Sequence, residues 1–281
     1  MSHPEHGSGR DVHRLSAELR TIGYSILPLP RLVRSQILDI YAAAASFFAL
    51  ADAEQRLNSL PEGCGFWPFG VEHSGRPDLP DRVGFFAASP RTEMAACALP
   101  SLEARELHQV LMAGFRMFEE LAEELVAELM HGFAGPARPH SLKGALHRWS
   151  MIQVSQTIPT GVGETVYRSH EDGHLITFAQ ADSPGLEIAV GSRFLPAPRS
   201  LDSMLIMPGK LAELLTGGQI KPMYHRVRAL NPHQRLSILF FADIDPDRCE
   251  PWVSEGADAA ACKAHVLTNA ARFGMPGFGL E

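Results

Sequence analysis

Two histidines and one aspartate have the types and spacing of metal ligands. His170 and Asp172 are two positions apart, and His225 follows 53 positions after Asp172. Because alternate side chains of an extended strand point to the same side, His170 and Asp172 can reach one ion. Two imidazoles and one carboxylate on one face of an octahedral ion, with the other positions open, are typical of non-haem Fe(II) sites. The pattern therefore predicts a metal triad of His170, Asp172 and His225.

A candidate site for a carboxylate begins ten residues after His225. Arg235 and Ser237 share one face of the run 235–241, whose apolar composition indicates a buried strand. A guanidinium group can bind a planar carboxylate through two parallel hydrogen bonds, and the neighbouring hydroxyl can add another. Phe241 lies on the same face and is a candidate substrate contact, although packing in the core would explain it equally well.

These residues belong to an ordered set of short motifs. The set comprises His170-Glu171-Asp172-Gly173, Leu175-Ile176-Thr177, Gly185-Leu186-Glu187-Ile188, Gly217-Gly218, His225-Arg226-Val227 and Arg235-Leu236-Ser237. In this order it resembles the Fe(II)- and 2-oxoglutarate-dependent dioxygenases of the isopenicillin N synthase type. The resemblance implies a double-stranded β-helix, or jelly roll, with Fe(II) on the triad and the distal carboxylate of 2-oxoglutarate on Arg235 and Ser237.

The resemblance also implies a reaction. Dioxygen would be the second cosubstrate, and hydroxylation of a C–H bond of a small molecule would be the simplest outcome. Desaturation, cyclisation and epoxidation use the same ligands and stay open. Because Asp172 occupies a coordination position that a halogenase keeps free, halogenation is disfavoured.

One strand departs from the family pattern. Many relatives carry an Asn-x-Tyr pair that helps to hold 2-oxoglutarate, whereas the corresponding run 151–159 has no tyrosine. Gln153 or Gln156 could donate a hydrogen bond instead. The departure keeps open an iron oxidase that does not use 2-oxoglutarate, and a binding protein of the same fold without turnover is a third alternative.

Composition limits the class of protein and its partners. The 281 residues are 45% hydrophobic and carry a net charge of −7, which favours one globular domain and argues against nucleic acid or an anionic membrane as partner. No run of eighteen apolar residues occurs, and the start of the chain is polar, so we expect a cytoplasmic protein. Four scattered cysteines indicate reduced thiols. An amino-acid-like or natural-product substrate and a monomer or homodimer are expected.

Periodicity divides the chain into three parts and predicts an α+β fold with a mainly β core. Residues 1–145 are expected to form a helical region packed on the barrel, 146–250 the jelly-roll core, and 251–281 a C-terminal helix and tail. A linker is expected at 135–143. The segment 61–90, rich in Gly, Pro and aromatic residues, is expected to be a loop that covers either the substrate pocket, with Trp67 as a contact, or the core.

Overall fold

The computed structural model describes residues 9–61, 63–74, 76–134, 144–157, 161–230 and 233–269. The predicted linker and the tail after residue 269 lie outside these ranges. The helices are α1 (Gly9–Thr21), α2 (Arg31–Phe48), α3 (Asp52–Gln55), α4 (Leu102–Ala134), α5 (Lys210–Leu215) and α6 (Ala259–Thr268). The strands are β1 (Ser25–Pro28), β2 (Gly65–Trp67), β3 (Val83–Ala88), β4 (Met151–Thr157), β5 (Thr165–His170), β6 (Ile176–Ala181), β7 (Leu186–Val190), β8 (Arg193–Pro196), β9 (Ser203–Pro208), β10 (His225–Arg228) and β11 (Arg235–Ala242).

The strands form two sheets. The larger has the order β1-β9-β6-β11-β4-β3-β2, and the smaller has the order β5-β10-β7-β8. All pairings between the described strands are antiparallel. The predicted α+β fold with a jelly-roll core and flanking helices is therefore confirmed. No helix in the described ranges is long and apolar enough to cross a membrane.

Strand β11, at the centre of the larger sheet, shows how the two faces differ. Ile238 and Phe240 point to the helices and are fully buried in the main core. Arg235, Ser237 and Phe241 point the other way and line a cavity between the sheets. This alternation follows from the period of two in an extended strand, and it allows one strand to serve both the core and the site.

Helix α4 covers the outer face of the larger sheet. Its Phe115 and Phe118 rings lie 5.3 Å and 5.9 Å from the ring of Phe240 on β11, measured between centroids. Burial of each phenylalanine contributes roughly 1.5–3 kcal/mol. The helix begins where the Ser101 hydroxyl accepts a hydrogen bond from the amide of Ala104 at 3.2 Å, as expected of a capping serine.

The segment 61–90 differs from the prediction of a loop. It contains β2 and β3, and β3 pairs with β4, so the N-terminal region contributes strands as well as helices to the larger sheet. Phe86 on β3 points to the helices, with its ring centroid 5.0 Å from that of Phe47, while Phe85 faces the cavity. The strands are short and lie among glycines and prolines, so the alternation of side chains that indicates a strand was not recognised in the sequence.

Candidate metal centre and its cavity

The two sheets place His170, Asp172 and His225 together. His170 ends β5 and His225 begins β10, and the two are direct cross-strand partners with ring centroids 4.4 Å apart. Asp172 lies two residues beyond the end of β5. The alternation of side chains in a strand therefore explains the direction of the His170 side chain but not that of Asp172. Its Oδ1 atom is 3.7 Å from Nε2 of each histidine. Because 3.7 Å is less than twice a metal–ligand bond of about 2.1 Å, one ion can bridge Asp172 and either histidine. The ligand atoms of all three residues lie within 4.8 Å of one another, as a shared metal site requires.

Hydrogen bonds orient each of the three side chains. Nδ1 of His170 donates to the carbonyl of Arg168 at 2.7 Å, and Nδ1 of His225 donates to the carbonyl of Met223 at 3.1 Å. A carbonyl oxygen can only accept, so the proton of each ring is on Nδ1 and each Nε2 atom carries the lone pair that a metal needs. The Thr177 hydroxyl donates to Oδ2 of Asp172 at 2.6 Å. The donor set and its supporting hydrogen bonds fit Fe(II).

The electrostatics of the site favour the protonation states that bind a metal. Burial, together with the neighbouring His225, lowers the pKa of His170 to about 4. Burial opposes ionisation of Asp172, but the imidazoles of His225 and His170 and the Thr177 hydroxyl outweigh it and lower the pKa of this carboxyl group. Near neutral pH the site therefore offers a neutral imidazole at His170 and a carboxylate at Asp172, as metal binding requires.

The triad opens into a cavity of about 170 Å³ between the two sheets. Arg235, Ser237 and Phe241 line the same cavity as the triad, so the structure brings these predicted site residues together. Trp67 is not among the lining residues. Its indole stacks on Phe85 with ring centroids 6.4 Å apart, and it is Phe85 that reaches the cavity.

Arg235 lies on the cavity wall. Its Nε atom donates to the carbonyl of Ser183 at 3.0 Å, and no carboxylate of the described residues is within ion-pairing distance of the guanidinium group. Burial lowers the pKa of Arg235. A buried guanidinium whose terminal nitrogens face a cavity is suited to an anionic ligand, because such a ligand supplies the missing counter-charge.

Comparison with known proteins agrees with this geometry. Residues 149–244 match the model of the 2OG-Fe(II) oxygenase superfamily. The matched stretch is about a third of the chain and contains His170, Asp172 and His225. Gibberellin 2-beta-dioxygenase 2 from Oryza sativa subsp. japonica is 24% identical over 226 residues, which are 72% of this chain. The chain spans 61% of the length of that curated relative. The resemblance predicted from the motifs is thus confirmed for the superfamily.

Solved structures share the fold at low sequence identity. The 2-oxoglutarate complex of dioxygenase for auxin oxidation 1 from Arabidopsis thaliana aligns with a TM-score of 0.70 and 19% identity, covering 91% of this chain and 96% of that chain. The dioxygenase for auxin oxidation from rice aligns with a TM-score of 0.69 and 18% identity, covering 91% of this chain and 85% of that chain.

The cavity does contain a tyrosine, but this residue is not on β4. Gln153 of β4 lines the cavity and donates from Nε2 to the Ser155 hydroxyl at 2.7 Å, whereas Gln156 lies on the opposite face. Tyr167, on β5, lines the cavity near them. The sequence did not predict that Tyr167 and His170 face the same side, because they are three positions apart. In β5 an extra residue opposite β10 lies between them. Such a bulge puts two residues with odd spacing on one face.

Backbone groups at the start of α5 hold the loop that carries Asp172. The amide of Lys210 donates to the carbonyl of Asp172 at 2.7 Å, and the amide of Leu211 lies 3.3 Å from the carbonyls of both Gly173 and His174. Gly209 allows this contact, since a Cβ atom there would lie 2.0 Å from the carbonyl oxygen of His174. The sequence contained only a weak signal of this role, a glycine just before a helix.

Helix α6 supports the same loop from another side. Nε2 of His265 donates to the carbonyl of Gly173 at 2.7 Å. One turn further, Asn269 is 3% exposed and lines the cavity, and its Oδ1 atom has no hydrogen-bond partner among the described residues. The C-terminal helix was predicted from the sequence, but its contact with the triad loop was not.

Proposed function

We propose that this protein is an Fe(II)- and 2-oxoglutarate-dependent oxygenase that oxidises, most simply hydroxylates, a C–H bond of a small molecule. An amino-acid-like compound or a natural-product intermediate is the proposed substrate class. One observation carries the proposal: the triad of His170, Asp172 and His225 shares a single cavity with the unpaired guanidinium of Arg235 and with Ser237.

The residues of the cavity have distinct roles in this proposal. His170, Asp172 and His225 would hold the iron through Nε2, Oδ1 and Nε2. When bound, Fe(II) couples the oxidative decarboxylation of 2-oxoglutarate by dioxygen to oxidation of the substrate. Arg235 and Ser237 would bind the distal carboxylate of 2-oxoglutarate, fixing the direction in which the cosubstrate lies.

Apolar side chains would hold the substrate and exclude water. Phe241 and Phe85 reach the cavity from β11 and β3, and Met151 reaches it from β4. Rigid placement of one C–H bond close to the iron decides which product forms, and buried strands are more rigid supports than loops. Trp67 would act through Phe85, by fixing the plane of that ring.

A second candidate is an iron oxidase that does not use 2-oxoglutarate. It is favoured by β4, where Gln153 and Ser155 face the site instead of the tyrosine that relatives carry. Arg235 would then bind a carboxylate of the substrate itself. Tyr167 argues against this candidate. It lines the cavity from the neighbouring sheet, so a phenol is present although β4 has no tyrosine.

The test is anaerobic addition of Fe(II) and then 2-oxoglutarate to the purified protein, with the visible metal-to-ligand charge-transfer band as readout. The proposal expects a band that is absent from His225→Ala and lost or strongly weakened in Arg235→Ala. Matched controls are His131→Ala, an exposed histidine on α4, and Arg193→Ala, an exposed arginine on β8. Both should keep the band.

The outcomes separate the candidates. Triad-dependent iron binding without a band would favour the oxidase that does not use 2-oxoglutarate. If iron does not bind, or if it binds equally well to His225→Ala, both enzyme candidates fail and a binding protein of the same fold is left.

A further inference from the structure

Two carboxylates besides Asp172 line the cavity: Glu187, which pairs with Arg226 at 2.6 Å, and Glu72. Glu72, in the segment between β2 and β3, is half-buried and lines the cavity. Its Oε2 atom accepts a hydrogen bond from the Tyr167 hydroxyl at 2.8 Å. The phenol ring of Tyr167 lies beside His170, with ring centroids 5.9 Å apart. Only the side chain of Tyr167 therefore lies between the Glu72 carboxyl group and the metal ligand His170.

No cation of the described residues neutralises Glu72. The nearby basic side chain of Arg168 is already engaged, since it donates to the carbonyl of Leu79 at 2.7 Å and lies 3.5 Å from Oδ1 of Asp81. Burial, followed by the charges of Asp81 and Asp172, raises the pKa of Glu72 to about 8 despite the bond from Tyr167. The site thus concentrates acidic groups around a carboxyl group that has no counter-ion.

The carboxyl group of Glu72 is unsuited to 2-oxoglutarate. The cosubstrate carries two carboxylates, and at this place they would meet the same negative charges of Asp81 and Asp172 that oppose ionisation of Glu72. Arg235 lines the cavity without an acidic partner among the described residues, and it suits the cosubstrate. Glu72 is left to face the other occupant of the cavity, the substrate.

We propose that Glu72 is a substrate-binding residue and that the substrate is an amine whose ammonium group pairs with its carboxylate. The proposal rests on the proposed function and adds the chemical class of the substrate. A buried charge is stable only when it is paired and hydrogen-bonded. An ammonium group supplies the charge, Tyr167 keeps the carboxylate in place, and the rings of Phe85 and Phe241 accommodate the apolar part of the molecule.

The experiment uses benzylamine as probe, with benzyl alcohol and N-acetylbenzylamine as uncharged analogues. Each is titrated anaerobically into the protein loaded with Fe(II) and 2-oxoglutarate, and binding is followed by calorimetry and by the change in the charge-transfer band. Since a hydrogen bond to a charged group is stronger than one between neutral groups, we expect benzylamine to bind about tenfold or more tightly than either analogue.

The variant Glu72→Gln removes the charge and keeps a group that can accept from Tyr167. We expect it to bind benzylamine about tenfold or more weakly than the unmodified protein, with the affinity for benzyl alcohol changed less than twofold. Its charge-transfer band should be unchanged. Glu106→Gln, which alters an exposed acid on α4, is the matched control and should bind benzylamine like the unmodified protein.

The readouts separate this inference from the proposed function. A normal band together with amine binding that is no tighter than alcohol binding, or that is insensitive to Glu72→Gln, overturns the amine inference alone. A band that disappears in Glu72→Gln also overturns it, because Glu72 would then serve the iron or 2-oxoglutarate. If the unmodified protein shows no band, the proposed function fails, and the amine inference fails with it.

Discussion

Substitution of Gly209 by alanine should impair metal binding although this residue touches neither the metal nor the cavity. The new Cβ atom would lie 2.0 Å from the carbonyl oxygen of His174 and 2.9 Å from that of Asp172. Both contacts involve backbone atoms, so rotation of a side chain cannot relieve them. The loop from Asp172 to His174 must withdraw by about 1 Å or more, because nonbonded carbon–oxygen contacts much below about 3.3 Å are repulsive.

The size of the effect follows from what that movement breaks. The amide of Lys210 would lose its 2.7 Å hydrogen bond to Asp172, and the shared bond from Leu211 would weaken. Each such bond contributes about 1 kcal/mol, and a buried donor left unpaired costs about 1–3 kcal/mol. We expect a loss of about 2–4 kcal/mol in the free energy of unfolding. Displacement of groups that orient metal ligands typically reduces affinity about 10–100-fold, and we expect Fe(II) binding to weaken to that extent.

The assay is anaerobic calorimetry of Fe(II) binding, with denaturant unfolding of the metal-free protein beside it. Gly84→Ala is the matched control, because a Cβ atom at this buried strand position meets nothing closer than 3.4 Å. It should keep Fe(II) affinity within about twofold. Circular dichroism verifies that Gly209→Ala is folded at the temperature of the titration. Fe(II) affinity equal to that of the unmodified protein in folded Gly209→Ala would refute the role assigned to this contact.

Three further substitutions test other contacts of the described structure. Thr177→Val removes the 2.6 Å hydrogen bond to Asp172 at nearly constant volume, so Fe(II) affinity measured by calorimetry should fall about tenfold; an unchanged affinity would contradict this support. Asn58→Ala removes hydrogen bonds to the carbonyl of Glu54 and from Ser101, and denaturant unfolding should show a loss of about 2–4 kcal/mol; a loss below about 1 kcal/mol would contradict it. Asn269→Leu replaces a buried amide whose oxygen has no hydrogen-bond partner within the described part of the chain, so the melting temperature of the ligand-free protein should not fall; a decrease of several degrees would contradict this.

The sequence predicted the chemistry of the site better than its geometry. The types and order of His170, Asp172 and His225 were sufficient to predict the metal triad, because few side-chain combinations suit a ferrous ion. The role of Arg235 in binding a carboxylate stays a prediction. Strand alternation correctly placed Phe241 on the cavity face of β11. The same rule does not account for Asp172, which lies in the loop after β5, and no rule of alternation could find a bulge from a single sequence.

Residues that reach the site from irregular segments were harder to find. Tyr167 has the wrong parity relative to His170 until the bulge in β5 is known. Glu72 lies in a segment rich in turn-forming residues, where no periodicity indicates which way a side chain points. Both are polar residues whose roles depend on contacts between positions far apart in the chain, and a pattern within one segment cannot reveal such contacts.

The loop after β5 shows why a motif alone does not make a metal site. His-x-Asp-Gly is local in sequence, yet its backbone carbonyls are held by the start of α5 and by His265 of α6, which are about 40 and 90 residues away. A loop whose successive carbonyls are held by three donors cannot relax toward other conformations, so the Asp172 carboxylate is in position before metal arrives. The iron site is thus specified twice: by side-chain types that select the ion, and by amide and imidazole donors that hold the backbone in place. Only the first specification is visible as a motif, and Gly209→Ala perturbs the second while leaving the first intact.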